Sequence, residues 1–162
     1  MSISNIKKLS MNPHFYSLLM QSFLSGYGSP CEIRLLFMAI PILLSAESRE
    51  KLVNANNRSR IDTLFQSFKI IDEIKVNGKT KLAGYVDRYN KLKPYCKEAI
   101  IILNSEEKIV FNNYKVSCVK KINYKNFDGT IKEWIKCAYY LGVVFSKTTQ
   151  EHLSLFLGVD IK

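Results

Sequence analysis

Two histidines and four cysteines are the residues of this chain best suited to nucleophilic or metal chemistry. His14 and His152 each lack a ligand-type partner three or four residues away, the spacing that sets two ligands on one helix face. Cys31, Cys96, Cys118 and Cys137 are widely scattered, and no pair has the CxxC spacing of zinc or redox sites. A Cys-His nucleophile pair would have to be assembled in space from Cys31 or Cys137, with no local signature to announce it. Gly26-Tyr27-Gly28 lacks the third glycine and the preceding strand of a dinucleotide loop, and no GK[ST] occurs. Glu47, Glu50 and Asp72-Glu73 fall on segments that read as exposed helix, where solvated carboxylates are ordinary. The expectation is free, mostly buried thiols, with no catalytic residue, metal, cofactor or small-molecule substrate. The chain reads as a non-enzyme.

Charge is the more informative chemistry. The net charge is +10, and it is evenly spread: residues 1–81 carry 11 Lys/Arg against 6 Asp/Glu, and residues 82–162 carry 13 against 8. Locally, Lys108, Lys115, Lys120, Lys121 and Lys125 fall between Glu107 and Asp128 with no acid among them. A second cluster, Lys75, Lys79, Lys81, Arg88, Lys91 and Lys93, is opposed only by Asp87. Such patches suit a phosphate backbone or an acidic protein partner, through long-range attraction and counterion release. A solvated lysine-rich face fits the same residues equally well. The preference for lysine over arginine speaks against base-specific readout, for which bidentate arginine is the usual tool.

The elements that must carry these residues are organised around one segment. Leu35-Leu36-Phe37-Met38-Ala39-Ile40-Pro41-Ile42-Leu43-Leu44 is an unbroken apolar run, too uniformly apolar for a surface helix. A membrane crossing needs roughly 20 apolar residues, and Arg34 and Glu47 cut this run short. It predicts a buried core helix, with no membrane span. At 162 residues and 47% hydrophobic composition, one domain over 12–162 is expected, behind an N-terminal arm of residues 1–11. That arm contains Lys7 and Lys8 but no apolar stretch of secretory type, so a cytoplasmic location is expected.

Asn12-Pro13 opens a first helix that Gly26 and Gly28 stop. Ser29-Pro30 opens the apolar helix, which Pro41 is expected to kink or end near Ile40. Ser45 caps a short charged helix to about Val53, and Ser59 with Asp62 has the form of a capping box. Ile61, Leu64, Phe65, Phe68 and Ile71 mark a fourth helix. Asn77-Gly78 is a turn, and Leu82, Tyr85, Val86 and Tyr89 read as a helix closed by Pro94, with another from Pro94 to Leu103. Ile109–Phe111 and Val116–Val119 form two strands about a tight polar turn. Helices from about Thr130 to Phe145 and Thr149 to Leu157 complete the chain, with Gly158 as C-cap. The fold class is mainly α with a small β-hairpin, a compact helical domain with a winged-helix-like unit.

Several of these segments, in order, resemble the middle component of ABC three-component systems, which are bacterial conflict operons. The resemblance lies in Asn12-Pro13, in the run Leu35 to Leu44 with Pro41 followed by Glu47-Ser48-Arg49, and in Tyr95-Cys96-Lys97-Glu98-Ala99. It continues in Ala138-Tyr139-Tyr140-Leu141-Gly142-Val143-Val144-Phe145 and Leu155-Phe156-Leu157-Gly158-Val159. Ile70 to Lys81 and Lys120 to Phe127 are longer than the pattern requires. The resemblance implies a non-enzymatic small subunit beside an SMC- or Rad50-like ABC ATPase and an effector, often a nuclease. Lamassu-type defences against phage and plasmids are systems of this kind. The implied role is a bridge holding the effector inactive until foreign DNA engages the ATPase, within a hetero-oligomer whose complex contacts DNA. Tyr27, Tyr89 and Tyr114, near helix ends, are candidate partner anchors, since tyrosine is enriched at hot spots. They read equally as ordinary amphipathic surface residues.

The competing expectation is a free-standing winged-helix DNA-binding regulator, with the Ile109 to Val119 hairpin and its lysines on the backbone. The helix before that hairpin, Lys97-Glu98-Ala99-Ile100-Ile101-Ile102, is too apolar for a recognition helix, which favours the adaptor.

Overall fold

Asn12 takes extended backbone and its side chain accepts the His14 N–H at 2.9 Å, while Pro13 occupies the first helical position. Helix α1 (Pro13–Tyr27) follows and closes at Gly28, whose φ of 76° is the left-handed cap conformation. Asn12→Ala is expected to lower the unfolding free energy by about 1 kcal/mol, read as a lower urea midpoint at unchanged m-value. An unchanged midpoint would show that Pro13 alone starts the helix. The computed structural model describes residues 12–65, 69–71, 74–76 and 84–158. The expected arm 1–11, the Asn77-Gly78 turn, Leu82, Lys79 and Lys81 lie outside the described residues.

The chain does not enter the apolar helix at Ser29-Pro30 as expected. Cys31–Glu32 first forms a short strand, β1, and α2 (Ile33–Leu43) begins after it. Pro41 neither ends nor breaks α2 at Ile40. It lacks the N–H that would bond the Phe37 carbonyl, but the last turn is held by packing. Ile40, Ile42 and Leu43 are completely buried, and the Leu44 N–H still reaches the Ile40 carbonyl at 3.0 Å. The central core helix is where the apolar run predicts it.

Helix α3 (Ala46–Val53) is the short charged one. Helix α4 (Ile61–Phe65) does not use Ser59 in a capping box, because the Ser59 hydroxyl accepts the Asn56 N–H at 3.0 Å. Thr63 instead accepts the Arg60 N–H and donates to the Arg60 carbonyl. The fourth helix does not extend to Ile71. Strands β2 (Lys69–Ile71) and β3 (Ile74–Val76) pair antiparallel there, Ile71 opposite Ile74, as β-branched residues on a short alternation prefer.

Helix α5 (Tyr85–Ser105) replaces the two helices expected on either side of Pro94. Tyr85, Tyr89, Cys96, Ala99 and Leu103 are buried along one stripe that runs through the proline. Pro94 lies on the exposed side, as does Asn90, whose carbonyl loses its helical donor where water is at hand. Strands β4 (Ile109–Asn112) and β5 (Lys115–Cys118) then form the expected hairpin. β1 adds to β5, with Cys31 opposite Val116, so the sheet is ordered β1-β5-β4. A 3-10 turn (Tyr124–Asn126), α6 (Gly129–Ser146) and α7 (Gln150–Leu157) finish the architecture.

The molecule is mainly helical with a small antiparallel sheet. A strand between the first two helices, joined to the far strand of a hairpin after a third long helix, is compatible with a winged-helix-like unit. The core centres on α1, α2, α5 and α6. Phe23 meets Phe145 edge-on at 5.3 Å and Phe15 meets Trp134 at 5.2 Å.

Candidate basic interface

The five lysines of the sequence cluster are not equivalent in space. Lys108 is half-buried and pairs with Glu106 at 2.5 Å. Its hydrogen bond and charge hold the Glu106 carboxyl below its ordinary value. Lys115 lies on β5 in register with Glu32 of β1, whose carboxylate pairs with Arg34 at 3.3 Å. Lys120, Lys121 and Lys125 are exposed and make no ion pair among the described residues. These three lie together on the segment that runs from the end of β5 through the 3-10 turn at Tyr124–Asn126, called the linker below.

That linker is fixed by its backbone. Gln21 donates from Nε2 to the Lys120 carbonyl at 2.7 Å, and the Ile122 N–H donates to Ser25 Oγ at 3.1 Å. Ser25 in turn donates to the Gln21 carbonyl at 2.8 Å. Asn123 caps the 3-10 turn by accepting the Lys125 N–H at 3.0 Å. Ser17, Gln21 and Ser25 recur every fourth residue and are buried on α1, a polar stripe on one helix face. Buried polar groups need partners, and this stripe finds two of them in the linker. Its spacing in the sequence is the signal that announces the attachment.

The Tyr124 hydroxyl lies 3.3 Å from that of Tyr140, and Tyr139 meets Tyr140 edge-on at 5.2 Å. With Lys121, Lys125 and Asn57, these tyrosines line a surface groove of about 390 Å³. The hydrogen bond shared with Tyr124, with burial second, pushes the Tyr140 phenol up to about 12, so it stays neutral at physiological pH.

The expected aromatic anchors divide. Tyr114, at the hairpin tip, is 61% exposed. Tyr27 is half-buried and stacks on Phe23 at 6.0 Å. Tyr89 is not a surface anchor: it is 7% exposed, in the α5 stripe, stacked on Tyr85, with the Lys93 ammonium over its ring at 4.7 Å. Its position on the same face as Tyr85 and Cys96 is what buries it.

Arg49 gives the charged segment after the apolar run a packing role. Its guanidinium sits 3.7 Å over the Trp134 ring and donates to the Leu43 carbonyl at 2.8 Å, tying α3 to the end of α2 and to α6. His14 is exposed, and His152 is not isolated in space: its Nε2 lies 2.9 Å from Asp62 of α4. Among the described residues no group of His, Cys, Asp and Glu is placed to hold a metal ion.

The cysteines are free thiols. Burial, reinforced by Glu32, pushes Cys31 up to about 12, and burial alone pushes Cys96 up to about 12. Burial raises Cys137 to about 11 against the opposing charge of Arg49. Cys118 is half-exposed and is also raised by burial. Native iodoacetamide labelling at mildly alkaline pH is therefore expected to modify Cys118 first and Cys31 and Cys96 only on unfolding, since the thiolate is the reactive form. Labelling of Cys31 at the rate of Cys118 would contradict this burial. The same shifts fix a sign for stability. The unfolded chain ionises these thiols near 9 while the folded chain keeps them protonated, so their contribution is present below pH 9 and falls away as pH rises toward 12.

No described helix is long and apolar enough to cross a membrane. No curated protein and no solved structure matches this sequence. The family described as ABC-three component (ABC-3C) system Middle Component 3 matches over residues 1–161, the span that holds the apolar helix, its Arg49 clamp and the pinned basic linker, and the chain belongs to that family.

Proposed function

We propose that this chain is a non-enzymatic bridging subunit between an SMC- or Rad50-like ABC ATPase and an effector, often a nuclease, in a cytoplasmic antiphage or antiplasmid complex of Lamassu type. The observation that carries the reading is family membership over residues 1–161, which makes the chain one part of a three-component assembly. The extensive core and the high thiol pKa values support a scaffold. The exposed Lys120, Lys121 and Lys125 support contact with nucleic acid engaged by the complex. Expression of the native operon with this chain tagged is expected to yield all three proteins together. A chain that emerges alone and binds duplex DNA tightly, with a steep salt dependence, would sink the bridging role.

The second reading, a free-standing winged-helix regulator, is favoured by the β1-β5-β4 sheet and the hairpin with its exposed Tyr114. The helix before the hairpin argues against it. Ala99 and Leu103 face the core, and Ile101, among the residues left outside, is 66% exposed. Lys97 to Leu103, the α5 segment before the hairpin, carries no arginine, asparagine or glutamine to read bases.

A further inference from the structure

The groove beside the linker combines features that bridging alone does not use. Tyr124, Tyr139 and Tyr140 line it together with Lys121 and Lys125, and no carboxylate does. Rings beside ammonium groups hold single-stranded nucleic acid without sequence preference, the rings taking base faces and the lysines tracking phosphates. At about 390 Å³ the groove lies in the lower part of the range for small-ligand sites, suited to one nucleotide unit. A duplex keeps its bases stacked inside and would meet such a concavity only with backbone. An acidic peptide would use the lysines alone and bring no planar group to set against the rings, which pack on one another. The site is also preorganised, because the backbone on both sides of Lys121 is bonded to Gln21 and Ser25 of α1, so little ordering is left for binding to impose.

We propose that this groove binds a nucleotide unit of single-stranded nucleic acid, with Lys121 and Lys125 on its flanking phosphates and the packed cluster of Tyr124, Tyr139 and Tyr140 offering one ring face to its base. The site rests on the nucleic-acid contact proposed above for these lysines and stands whether or not the chain joins an ATPase to an effector.

Fluorescence anisotropy of the full chain with a labelled oligo-dT of about 12 nucleotides, within the usual span of single-strand sites, tests it. Saturable binding is expected. The double variant Lys121→Ala/Lys125→Ala should weaken it at least tenfold and flatten the log K against log salt slope by roughly 1.4, about 0.7 for each phosphate left without its lysine. An abasic strand of equal length should bind at least about fivefold more weakly, the effect expected when base stacking is removed. Competition by dTMP separates the sources of the ligand: displacement at equal phosphate concentration assigns a free nucleotide to the groove, and displacement only by unlabelled strand assigns a polymer. Three results would overturn the site. They are equal binding of the abasic strand, an equal weakening in the control variant Lys91→Ala/Lys97→Ala on α5, and displacement by a poly-glutamate peptide as effective as by unlabelled oligo-dT. The bridging role is read separately, by co-purification, so one can fail without the other.

Discussion

Gly142→Ala is expected to remove about 3 kcal/mol of stability, the upper end of the usual cost of overpacking, and to lower the melting temperature by roughly 6–12 °C for a chain of this size. A Cβ placed at Gly142 of α6 would lie 2.0 Å from the Phe23 carbonyl oxygen and 2.9 Å from the Tyr27 nitrogen. Gly26 of α1 mirrors it, with a Cβ 1.9 Å from the Tyr139 carbonyl oxygen. Both obstacles are backbone, which cannot rotate aside as a side-chain tip does. Helix propensity pulls the other way, favouring alanine over glycine by roughly 1 kcal/mol inside a helix. The clash must therefore exceed the propensity gain, and approaches at these distances force the two helices apart along their whole crossing. Neither glycine has a positive φ, so no left-handed strain adds to the clash and the propensity gain. Gly129→Ala is the control: its φ is 63° and nothing lies within 4 Å of the added Cβ, so only the left-handed conformation is penalised, by about 1 kcal/mol. A Gly142→Ala protein that melts at or above the parent temperature would show that α1 and α6 are not in backbone contact.

This crossing also sets the working surface, because α1 carries the polar stripe that pins the linker and α6 carries Tyr139 and Tyr140. Forcing the helices apart moves the two walls of the groove relative to each other. Gly26→Ala and Gly142→Ala should therefore alter binding at the linker as well as stability, although neither residue lies near a lysine in sequence.

The positions at which sequence and structure diverge share a physical reason. Proline is the strongest local punctuation, yet α2 runs past Pro41 and α5 runs through Pro94. At Pro41 complete burial of Ile42 and Leu43 outweighs one missing hydrogen bond. At Pro94 the apolar repeat Tyr85, Tyr89, Leu92, Cys96, Ala99, Leu103 never loses its helical spacing, and that continuity is visible in the sequence. The two-residue strand Cys31–Glu32 is not, because it exists only through its pairing with Val116 and Lys115. The same pairing sets the Glu32 backbone in register with Lys115, which no count of charges between Glu107 and Asp128 reveals. Tyr89 reads as a surface residue beside lysines and is instead buried, since helical phase places it with Tyr85. The cap at Asn12, the core helix, the hairpin and the closing Gly158 all depend on neighbours within a few residues, and these the sequence specifies directly. Tyr124 meeting Tyr140 depends on how a linker folds back, so the groove is legible only in three dimensions.

Reversing the charge at the three linker lysines, Lys120→Glu/Lys121→Glu/Lys125→Glu, is expected to weaken nucleic-acid binding at least a hundredfold. Like-charge juxtaposition at an interface costs several kcal/mol, and each 1.4 kcal/mol is tenfold in affinity. Folding should be nearly untouched. The linker is held through the Lys120 carbonyl and the Ile122 N–H, which the substitutions leave in place, and the three side chains are exposed with no ion pair to lose among the described residues; changes at such surface positions usually stay within about 0.5 kcal/mol. Co-purification with the other two components of the system should persist. Failed assembly with nucleic-acid binding intact would reassign these lysines to an acidic protein partner, and wild-type behaviour in both measurements would remove the linker from either role. Gln21→Ala complements the test by keeping all three charges while freeing the backbone that carries them. If fixed placement matters, and not charge alone, it weakens binding at unchanged net charge, a result that general electrostatic attraction of a +10 chain does not produce.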